Sequence, residues 1–301
     1  MKRCSAIIGG VLFLVIAAAG ALAQDSTARD FFFVGAASMH APYDDAPALE
    51  GHRLSYLSPA LDIVVPPVSA GLPRMSPELA LTAYLGFAQQ QLKDLGAYSD
   101  ATTIEADLPD TAQHGKFELR RSYRAPRTLA FAAVHFAGDG FVKTNVIARL
   151  LQSEVEHVQK GEGALTAITA DNYKFGFKAV EVLDDHLAYL YQIKPKHKRM
   201  GLFKGRILID AATGHLRRAE GTMVKAPSFF VKKIEFVQDY ADFGPFSLPT
   251  HVHSVAKTRL VGRAVVDIDH ERYQAKSVAQ VQSENGASGS AGAGSGASST
   301  N

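Results

Sequence analysis

The stretch YKFGFKAVEVLDDHLAYLYQIK, residues 173–194, opens a series of about seven segments in which apolar and polar residues alternate as far as Tyr273. Such alternation is typical of antiparallel strands whose two faces meet different environments. The short breaks Asp184-Asp185-His186 and Ala211-Ala212-Thr213-Gly214 have the composition of hairpin turns. The sequence therefore predicts a large up-and-down antiparallel sheet, which must curl and cover its apolar face.

Other elements precede this meander. Ser76, Pro77 and Glu78 indicate a helix start, with apolar residues at helical spacing as far as Gly96. A second amphipathic helix is predicted at 145–158. The fold class is therefore mainly β, in an α+β arrangement with two amphipathic helices against the sheet. The predicted strands are 103–108, 116–123, 127–136, 173–183, 187–194, 203–210, 215–224, 229–240, 249–260 and 263–273.

The N-terminus indicates the compartment. Lys2 and Arg3 precede the apolar run 6–22, and Ala21-Leu22-Ala23 provides small residues for cleavage before Gln24. We expect residues 1–23 to be a signal peptide and the mature protein to be periplasmic, with a single membrane anchor as the alternative. Cys4 is the only cysteine and lies before the apolar run, so the mature chain needs no disulfide.

The charge balance argues against nucleic-acid binding. The chain has 32 Lys and Arg against 30 Asp and Glu, and removal of Lys2 and Arg3 with the signal leaves 30 against 30. A formally neutral chain without a nucleic-acid motif lacks the concentrated basic face that such proteins use. We therefore expect no nucleic-acid partner, and we expect a monomer.

The composition divides the mature chain into three parts. Residues 24–75 contain many prolines with little periodicity and are predicted to form an extended arm. Residues 76–281 are long enough for one domain with a sizeable core. Residues 282–301 are mostly Gly, Ala, Ser and Thr and are predicted to be a disordered tail.

Catalytic and metal-binding patterns are weak. No G-x-S-x-G motif occurs at 76–281, and the mature chain offers no cysteine nucleophile. His251 and His253 share a strand face and suit a metal only if a third ligand such as His270 or Asp269 converges on them. Solvated histidines explain the pair equally well. We therefore expect no enzyme activity, no metal and no cofactor.

The order helix, three strands, helix and long meander resembles the bacterial outer-membrane lipoprotein-sorting superfamily, the LolA-like proteins. The segment LFKGRILIDAATG at 202–214 and the later Tyr240 with Phe246-Ser247-Leu248-Pro249 carry the resemblance. It covers residues 76–273 and implies an unclosed antiparallel β-barrel with the helices as a lid over a hydrophobic cavity. The implied function is to hold lipoprotein acyl chains or another lipid. The alternative is an envelope sensor or interaction protein with the same barrel.

The resemblance also implies an arginine on an early strand that helps to latch the lid. Phe117, Leu119, Arg121 and Tyr123 alternate onto one face, which makes Arg121 the candidate. A buried arginine needs a partner. The alternative register leaves Arg121 in solvent and makes Arg120 equally suitable.

Aromatic and aliphatic residues of successive strands form a wide apolar wall, either as an ordinary core or as a ligand surface. We expect Phe175, Tyr189, Tyr191, Ile207, Ile234 and Phe236 to face the two helices. The candidate cavity residues are Phe117, Leu119, Arg121, Phe175, Phe177, Tyr189, Tyr191, Ile207, Ile209, Ile234 and Phe236.

The segment 194–206 concentrates six basic residues around the apolar Met200, Leu202 and Phe203. A basic turn with exposed apolar residues suits a peripheral contact with phospholipid head groups or an acidic membrane protein. A solvated hairpin loop is the alternative. The candidate contact residues are Lys196, Lys198 and Arg199.

Overall fold

The computed structural model describes residues 74–290 except Ser228, Phe230 and Leu260, and gives no side-chain description for residues 286–290. The predicted signal peptide at 1–23, nearly all of the predicted arm at 24–75 and the end of the predicted tail at 291–301 lie outside the described residues.

The domain is built on a single ten-stranded sheet with the order β3-β2-β1-β10-β9-β8-β7-β6-β5-β4, in which all neighbours are antiparallel. Because β1 pairs with β10, the three early strands extend the seven-stranded meander. The edge strands β3 and β4 do not pair, so the sheet is not closed. The strands are β1 (Leu95–Leu108), β2 (Gln113–Arg124), β3 (Thr128–Gly138), β4 (Tyr173–Leu183), β5 (His186–Pro195), β6 (Phe203–Asp210), β7 (Leu216–Met223), β8 (Val231–Phe243), β9 (Phe246–Thr258) and β10 (Arg263–Ser277).

This arrangement confirms the predicted fold class, a mainly β protein with a long antiparallel meander. The bounds of β4 and β6 agree with the prediction from their alternation, whereas β1 begins eight residues earlier than the predicted 103. The helices are α1 (Pro77–Asp94), α2 (Gly140–Val142), a π-helical turn (Lys143–Ile147), α3 (Ala148–Lys160), α4 (Gly163–Thr166) and α5 (Val278–Ser290), with a 3₁₀ turn at Pro109–Thr111.

Helix α1 begins as its sequence predicts. The Ser76 hydroxyl accepts a hydrogen bond from the Leu79 amide at 3.3 Å, and Pro77 follows the cap. The helix ends at Asp94, because Leu95 is already extended and buried as the first residue of β1. Gly96 was predicted to stop the helix, but it lies in the strand. A Cβ there would lie 2.6 Å from the Val278 backbone nitrogen, so glycine permits α5 to approach.

Helix α5 extends across residue 282, where the tail is predicted to begin. Ser277 and Gln280 form a reciprocal cap: the Ser277 amide donates to Gln280 Oε1 at 2.7 Å, and the Gln280 amide donates to Ser277 Oγ at 3.2 Å. Lys276 Nζ also contacts Glu284 Oε1 at 2.6 Å. These local contacts support a helix in a segment whose composition alone suggested disorder.

The second predicted helix, at 145–158, is longer and interrupted. It consists of α2, the π-helical turn and α3, and it ends at Gly161, which has φ +69° and donates its amide to the His157 and Val158 carbonyls. Among the helices of the described residues, none is long and apolar enough to cross a membrane.

The core lies between the helices and one face of the sheet, which we call the inner face. Ile104, Leu119, Tyr191 and Ile207 are inner-face residues. Helix α1 contributes Ala80, Tyr84 and Ala88 to the same core, and the segment of α2 to α3 contributes Val142, Val146, Ile147 and Leu150. The Tyr84 hydroxyl donates to the Ile168 carbonyl at 2.9 Å, which joins α1 to the segment after α4.

Candidate functional site

A buried group of charged and polar side chains interrupts the apolar inner face beneath α3. Strand β1 contributes Asp100, opposite Arg121 on β2. Residues directly opposite in an antiparallel pair share a face, so this register brings the carboxylate and the guanidinium together. Helix α3 contributes Glu154 from above, and the site is completed by Tyr98, Thr102, His270 and Tyr273.

A β-bulge in β10 brings His270 and Tyr273 to the site together. Three positions apart in a regular strand, they would point to opposite faces. The register shifts between Ser99 and Ala101 of β1, and Arg272 takes φ +56°, which inserts one extra residue into β10. Both rings therefore face inward, with their centroids 6.1 Å apart.

Arg121 is the centre of the network and its side chain is 1% exposed. Nε donates to Asp100 Oδ2 at 2.8 Å, Nη1 to Glu154 Oε1 at 3.1 Å and Nη2 to the Tyr273 hydroxyl oxygen at 2.7 Å. The guanidinium carbon also lies 5.0 Å from the centre of the Tyr98 ring. Three elements, β1, α3 and β10, are therefore tied to one side chain of β2.

Asp100 is supported from its other oxygen. Thr102 donates its hydroxyl proton to Asp100 Oδ1, and His270 Nδ1 lies 3.3 Å from the same oxygen. Because an ionised carboxylate only accepts, the proton of His270 belongs on Nδ1. Burial alone would favour the neutral acid, but Arg121 and the hydrogen bonds from His270 and Thr102 outweigh it and hold the pKa of Asp100 below its usual value.

The two carboxylates beside Arg121 differ in their ionisation. Burial raises the pKa of Glu154 to about 7, because desolvation outweighs the attraction of Arg121. Burial also lowers the pKa of His270 to about 4, with the Arg121 charge acting in the same direction. Near neutral pH the ionised core of the site is therefore the pair Arg121 and Asp100, with His270 neutral and Glu154 close to its titration point.

Two buried polar atoms of the site have no hydrogen-bond partner within the described part of the chain, namely Glu154 Oε2 and His270 Nε2. An unsatisfied buried acceptor costs free energy, on the order of 1–3 kcal/mol. Glu154, which joins α3 to the sheet, therefore has one oxygen without a hydrogen bond, whereas both carboxylate oxygens of Asp100 accept one.

Helix α3 buries a face that is only half apolar. Leu150, Glu154, His157 and Val158 are its buried residues. His157 Nδ1 lies 3.5 Å from Glu162 Oε2, and burial lowers the pKa of His157. Glu154 therefore contacts the sheet, through Arg121, whereas His157 contacts a residue just after the helix.

The structure places most of the candidate cavity residues inside. Arg121 is buried, whereas Arg120, the alternative, is exposed. The buried apolar candidates belong to one core with α1 and α3, and they are Phe117, Leu119, Tyr189, Tyr191, Ile207, Ile209, Ile234 and Phe236. Phe175 is partly buried against that core.

Phe177 departs from its predicted place in a cavity wall, since it is 44% exposed. Its ring still contacts Tyr189 and Tyr191, with centroids 6.0 and 5.8 Å apart. The reason is topological: β4 is an edge strand, and among the described strands β5 alone pairs with it, so no strand of residues 74–290 lies along its other side.

The basic segment is exposed at Lys196, Lys198 and Arg199, as a solvated turn requires. The expectation that Met200, Leu202 and Phe203 are exposed beside it is wrong. Leu202 is 1% exposed and Phe203 is 0% exposed, and Met200 is partly buried against the core. Phe203 is the first residue of β6 and its side chain points to the inner face, where its ring packs against Phe236 with the ring centroids 4.9 Å apart.

His251 and His253 each contact a carboxylate on the neighbouring strand. His251 Nδ1 lies 2.7 Å from Asp269 Oδ1, and His253 Nδ1 lies 2.6 Å from Asp267 Oδ1. His270 faces the opposite side of the sheet and cannot join them. Among the described residues no group of three or more His, Cys, Asp and Glu side chains is arranged to hold a metal.

Sequence reasoning identified Arg121, but it identified neither its partners Asp100, Glu154 and Tyr273 nor His270, which contacts Asp100. Asp100 lay in a segment predicted to precede the first strand. For Glu154 a signal was available. It follows Leu150 by four residues, so helical spacing puts it on the same inward face and indicates a buried acid. The bulge that turns Tyr273 inward had no sequence signal.

Comparisons with known proteins find structural similarity only. No protein-family model matches the chain, and no curated protein sequence matches it. The LolA superfamily protein from Nitrosomonas europaea is 10% identical, with a TM-score of 0.30 over 66% of this chain and 93% of that one. The DUF1329 family protein from Desulfovibrio piger is 12% identical, with a TM-score of 0.34 over 65% and 92%.

A putative outer membrane lipoprotein-sorting protein domain from Vibrio parahaemolyticus is also similar, at 8% identity and a TM-score of 0.33 over 65% of this chain and 93% of that one. The resemblance stated from the sequence names the same superfamily. With TM-scores below 0.5, the similarity carries no argument about ligand or partner. The chain is thus similar, distantly and in its fold, to solved structures of the LolA superfamily and of lipoprotein-sorting domains.

Proposed function

We propose that this protein is a non-enzymatic carrier or binding protein of the bacterial periplasm for an apolar ligand, either lipoprotein acyl chains or another lipid. In this proposal α3 is a movable cover, and the contact between Arg121 and Glu154 is its latch. The observation that carries the proposal is the buried Arg121, which ties this helix to the sheet beside a large apolar core.

The inner face suits the chemistry of an acyl chain. Tyr191 on β5, Ile207 on β6, and Ile234 and Phe236 on β8 belong to one apolar cluster. Burial of a methylene group is worth ~0.8 kcal/mol, so an acyl chain of many methylenes gains a large favourable free energy when it is buried against this face. No reacting group is needed for such binding.

The polar site allows α3 to move without leaving the buried Arg121 guanidinium uncompensated. When Glu154 leaves, Arg121 keeps Asp100 at 2.8 Å and the Tyr273 hydroxyl at 2.7 Å, both from the sheet. Glu154 carried outward on the helix is solvated by water. The network therefore has two arrangements in which each charge is compensated, which is what a latch requires.

A second candidate is an envelope sensor or interaction protein that uses the same sheet without a lipid. The observation that favours it is the packing of the interior by the chain's own rings. Phe203 contacts Tyr173 and Phe236, with centroids 5.5 and 4.9 Å apart. If this packing persists in solution, the inner face is a core, and α3 or another surface carries the contact.

A lipid measurement separates the two candidates. Mass spectrometry of the organic extract from protein purified from the envelope should detect bound lipid at a fixed ratio to protein if the chain is a carrier. A Phe236→Asp variant should then lose binding of a fluorescent fatty acid, whereas Val134→Asp, at a position 61% exposed on β3, should keep it. Lipid-free protein, with Phe236→Asp lowering only the melting temperature, would support the second candidate.

A further inference from the structure

The outer face of the sheet carries a row of lysines at the β4 edge. Lys174 on β4 is directly opposite Lys194 on β5, and Lys204 holds the corresponding outer position on β6, one residue before Gly205. All three are exposed. Like charges directly opposite on neighbouring strands are destabilising.

Elsewhere on the outer face several basic residues are paired with carboxylates, although Lys257 on β9 lies directly opposite both Lys233 on β8 and Arg263 on β10. Lys116 contacts Glu105 at 2.8 Å, Lys233 contacts Glu235 at 2.7 Å, and Arg218 pairs with Asp239. Cross-strand or near-strand carboxylates thus compensate basic residues over β1, β2, β7 and β8. Among the described residues no carboxylate lies within ion-pair distance of Lys174, Lys194 or Lys204.

The positive charge continues into the loop after β5. Lys196, Lys198 and Arg199 are exposed there, and residues 186–209 contain no Asp or Glu. The Lys196 amide donates to the Asn172 carbonyl at 2.8 Å, which fixes the start of this loop beside the start of β4. The lysine row and the loop therefore form one continuous basic surface at one corner of the sheet.

The same edge strand is apolar and uncovered on its inner side. Phe177, Val180 and Val182 are 44%, 53% and 60% exposed. Val180 and Val182 lie opposite Tyr189 and Leu187, so they continue the inner face onto the edge strand. Exposed apolar residues are unremarkable singly, but these three follow one strand at the sheet boundary.

We propose that the β4 edge docks on an anionic phospholipid surface. Lys174, Lys194 and Lys204, with the basic loop, contact the lipid phosphates, and Val180 and Val182 enter the head-group boundary. Basic residues flanking exposed apolar residues combine electrostatic attraction with shallow burial, which is how interfacial elements bind membranes. An acidic protein partner would explain the exposed lysines but would not explain the exposed Val180 and Val182.

The proposal goes beyond the proposed ligand and does not depend on it. The buried core and the Arg121 network are not used, because the docking surface consists of lysines on the outer face of β4 to β6 and of exposed valines on the inner face of the edge strand β4. A protein that binds no acyl chain therefore still sediments with anionic vesicles if this inference is correct.

The test is co-sedimentation with phosphatidylcholine vesicles, with and without phosphatidylglycerol, at low and high salt. The first variant carries Lys174→Ser, Lys194→Ser and Lys204→Ser. The second carries Val180→Thr and Val182→Thr, which keep β-branched side chains in the strand. The matched control carries Lys116→Ser, Lys160→Ser and Lys233→Ser, three lysines that lie in ion pairs elsewhere.

We expect wild-type protein to bind only the phosphatidylglycerol vesicles and to dissociate as salt rises. The lysine variant should bind on the order of 100-fold more weakly, the valine variant several-fold more weakly, and the control variant as wild type does. Equal binding by the lysine variant and the control would overturn the proposal. So would protein that binds soluble polyglutamate but no vesicle, since that result assigns the surface to an acidic macromolecule.

Discussion

Arg121 on β2 and Glu154 on α3 are joined by a 3.1 Å hydrogen bond between Nη1 and Oε1, at a place where the two side chains are 1% and 2% exposed. Arg121 keeps a second carboxylate, Asp100, whether or not this bond is made. Glu154 has no second partner among the described residues for its other oxygen. The contact of Arg121 with Glu154 is therefore weaker than its contact with Asp100, and it is the one that joins α3 to the sheet.

Removal of the arginine should destabilise the fold strongly. Arg121→Met leaves Asp100 ionised and buried without its cation, so we expect the free energy of unfolding to fall by ~3–5 kcal/mol. Urea denaturation measures it. The matched control is Arg120→Met on the same strand, which is exposed and should change stability by less than about 0.5 kcal/mol. Equal effects of the two substitutions would mean that the buried network contributes nothing.

Glu154 should make stability fall as pH rises. Its folded pKa is about 7 against 4.5 for an ordinary glutamate, so the folded state holds a proton between these values that the unfolded state has lost. The stabilising contribution is complete below pH 4.5 and is lost as pH rises through 7. We therefore expect wild type to lose stability relative to Glu154→Gln over that window, by up to ~3 kcal/mol.

Urea titrations of both proteins between pH 4.5 and 8 provide the comparison. Glu156→Gln, on the exposed side of the same helix, is the control and should follow wild type at every pH. A constant difference between wild type and Glu154→Gln across the window would show that Glu154 titrates normally.

His270 should act in the opposite direction. Its folded pKa of about 4 lies below the ordinary 6.5, so its contribution is complete above pH 6.5 and is lost as pH falls through 4. His270→Gln should therefore be less acid-sensitive than wild type. NMR titration of the ring protons would follow the site directly, and a His270 midpoint near 6.5 would contradict the burial described for it.

The bulge in β10 gives a conformational prediction. Arg272 has φ +56°, a conformation that β-branched residues adopt at high cost. Arg272→Val should lower stability by ~1–2 kcal/mol and weaken the hydrogen bond between Arg121 and Tyr273, whereas Arg272→Gly should be tolerated. Melting temperatures of the two variants are the measurement, and a valine variant as stable as the glycine variant would refute the strained position.

The sheet was predictable because its alternation is strong and local. Residues 173–183 and 203–210 have a clear period of two between turn residues, and the structure places β4 and β6 at those bounds. The start of β1 was not predictable, since Gly96 after an amphipathic helix is a common stop signal. Only the approach of α5 to the backbone, a contact between distant parts of the chain, explains that glycine.

The candidate site was predictable in its centre and not in its surroundings. Alternation in β2 placed Arg121 with Phe117 and Leu119, but its partners come from elements 21 to 152 residues away in the sequence. The alternation of side chains along a regular strand predicts that His270 and Tyr273 lie on opposite faces. A β-bulge between them brings both to the same face. The exposed trio predicted at 200–203 failed because Phe203 already belongs to a strand with its own inward phase.

The proposed function requires that an apolar ligand enters beneath α3. The direct measurement is stopped-flow and equilibrium binding of a fluorescent fatty acid at pH 8, with wild type, Glu154→Gln and the control Glu156→Gln. Saturable binding by all three proteins, with slower association for Glu154→Gln alone, is the predicted result, because at pH 8 the ionised Glu154 is less stable in its buried site than a neutral side chain and releases α3 more readily. Absence of saturable binding to wild type and to Glu154→Gln, in protein shown to be folded, would contradict the proposed function.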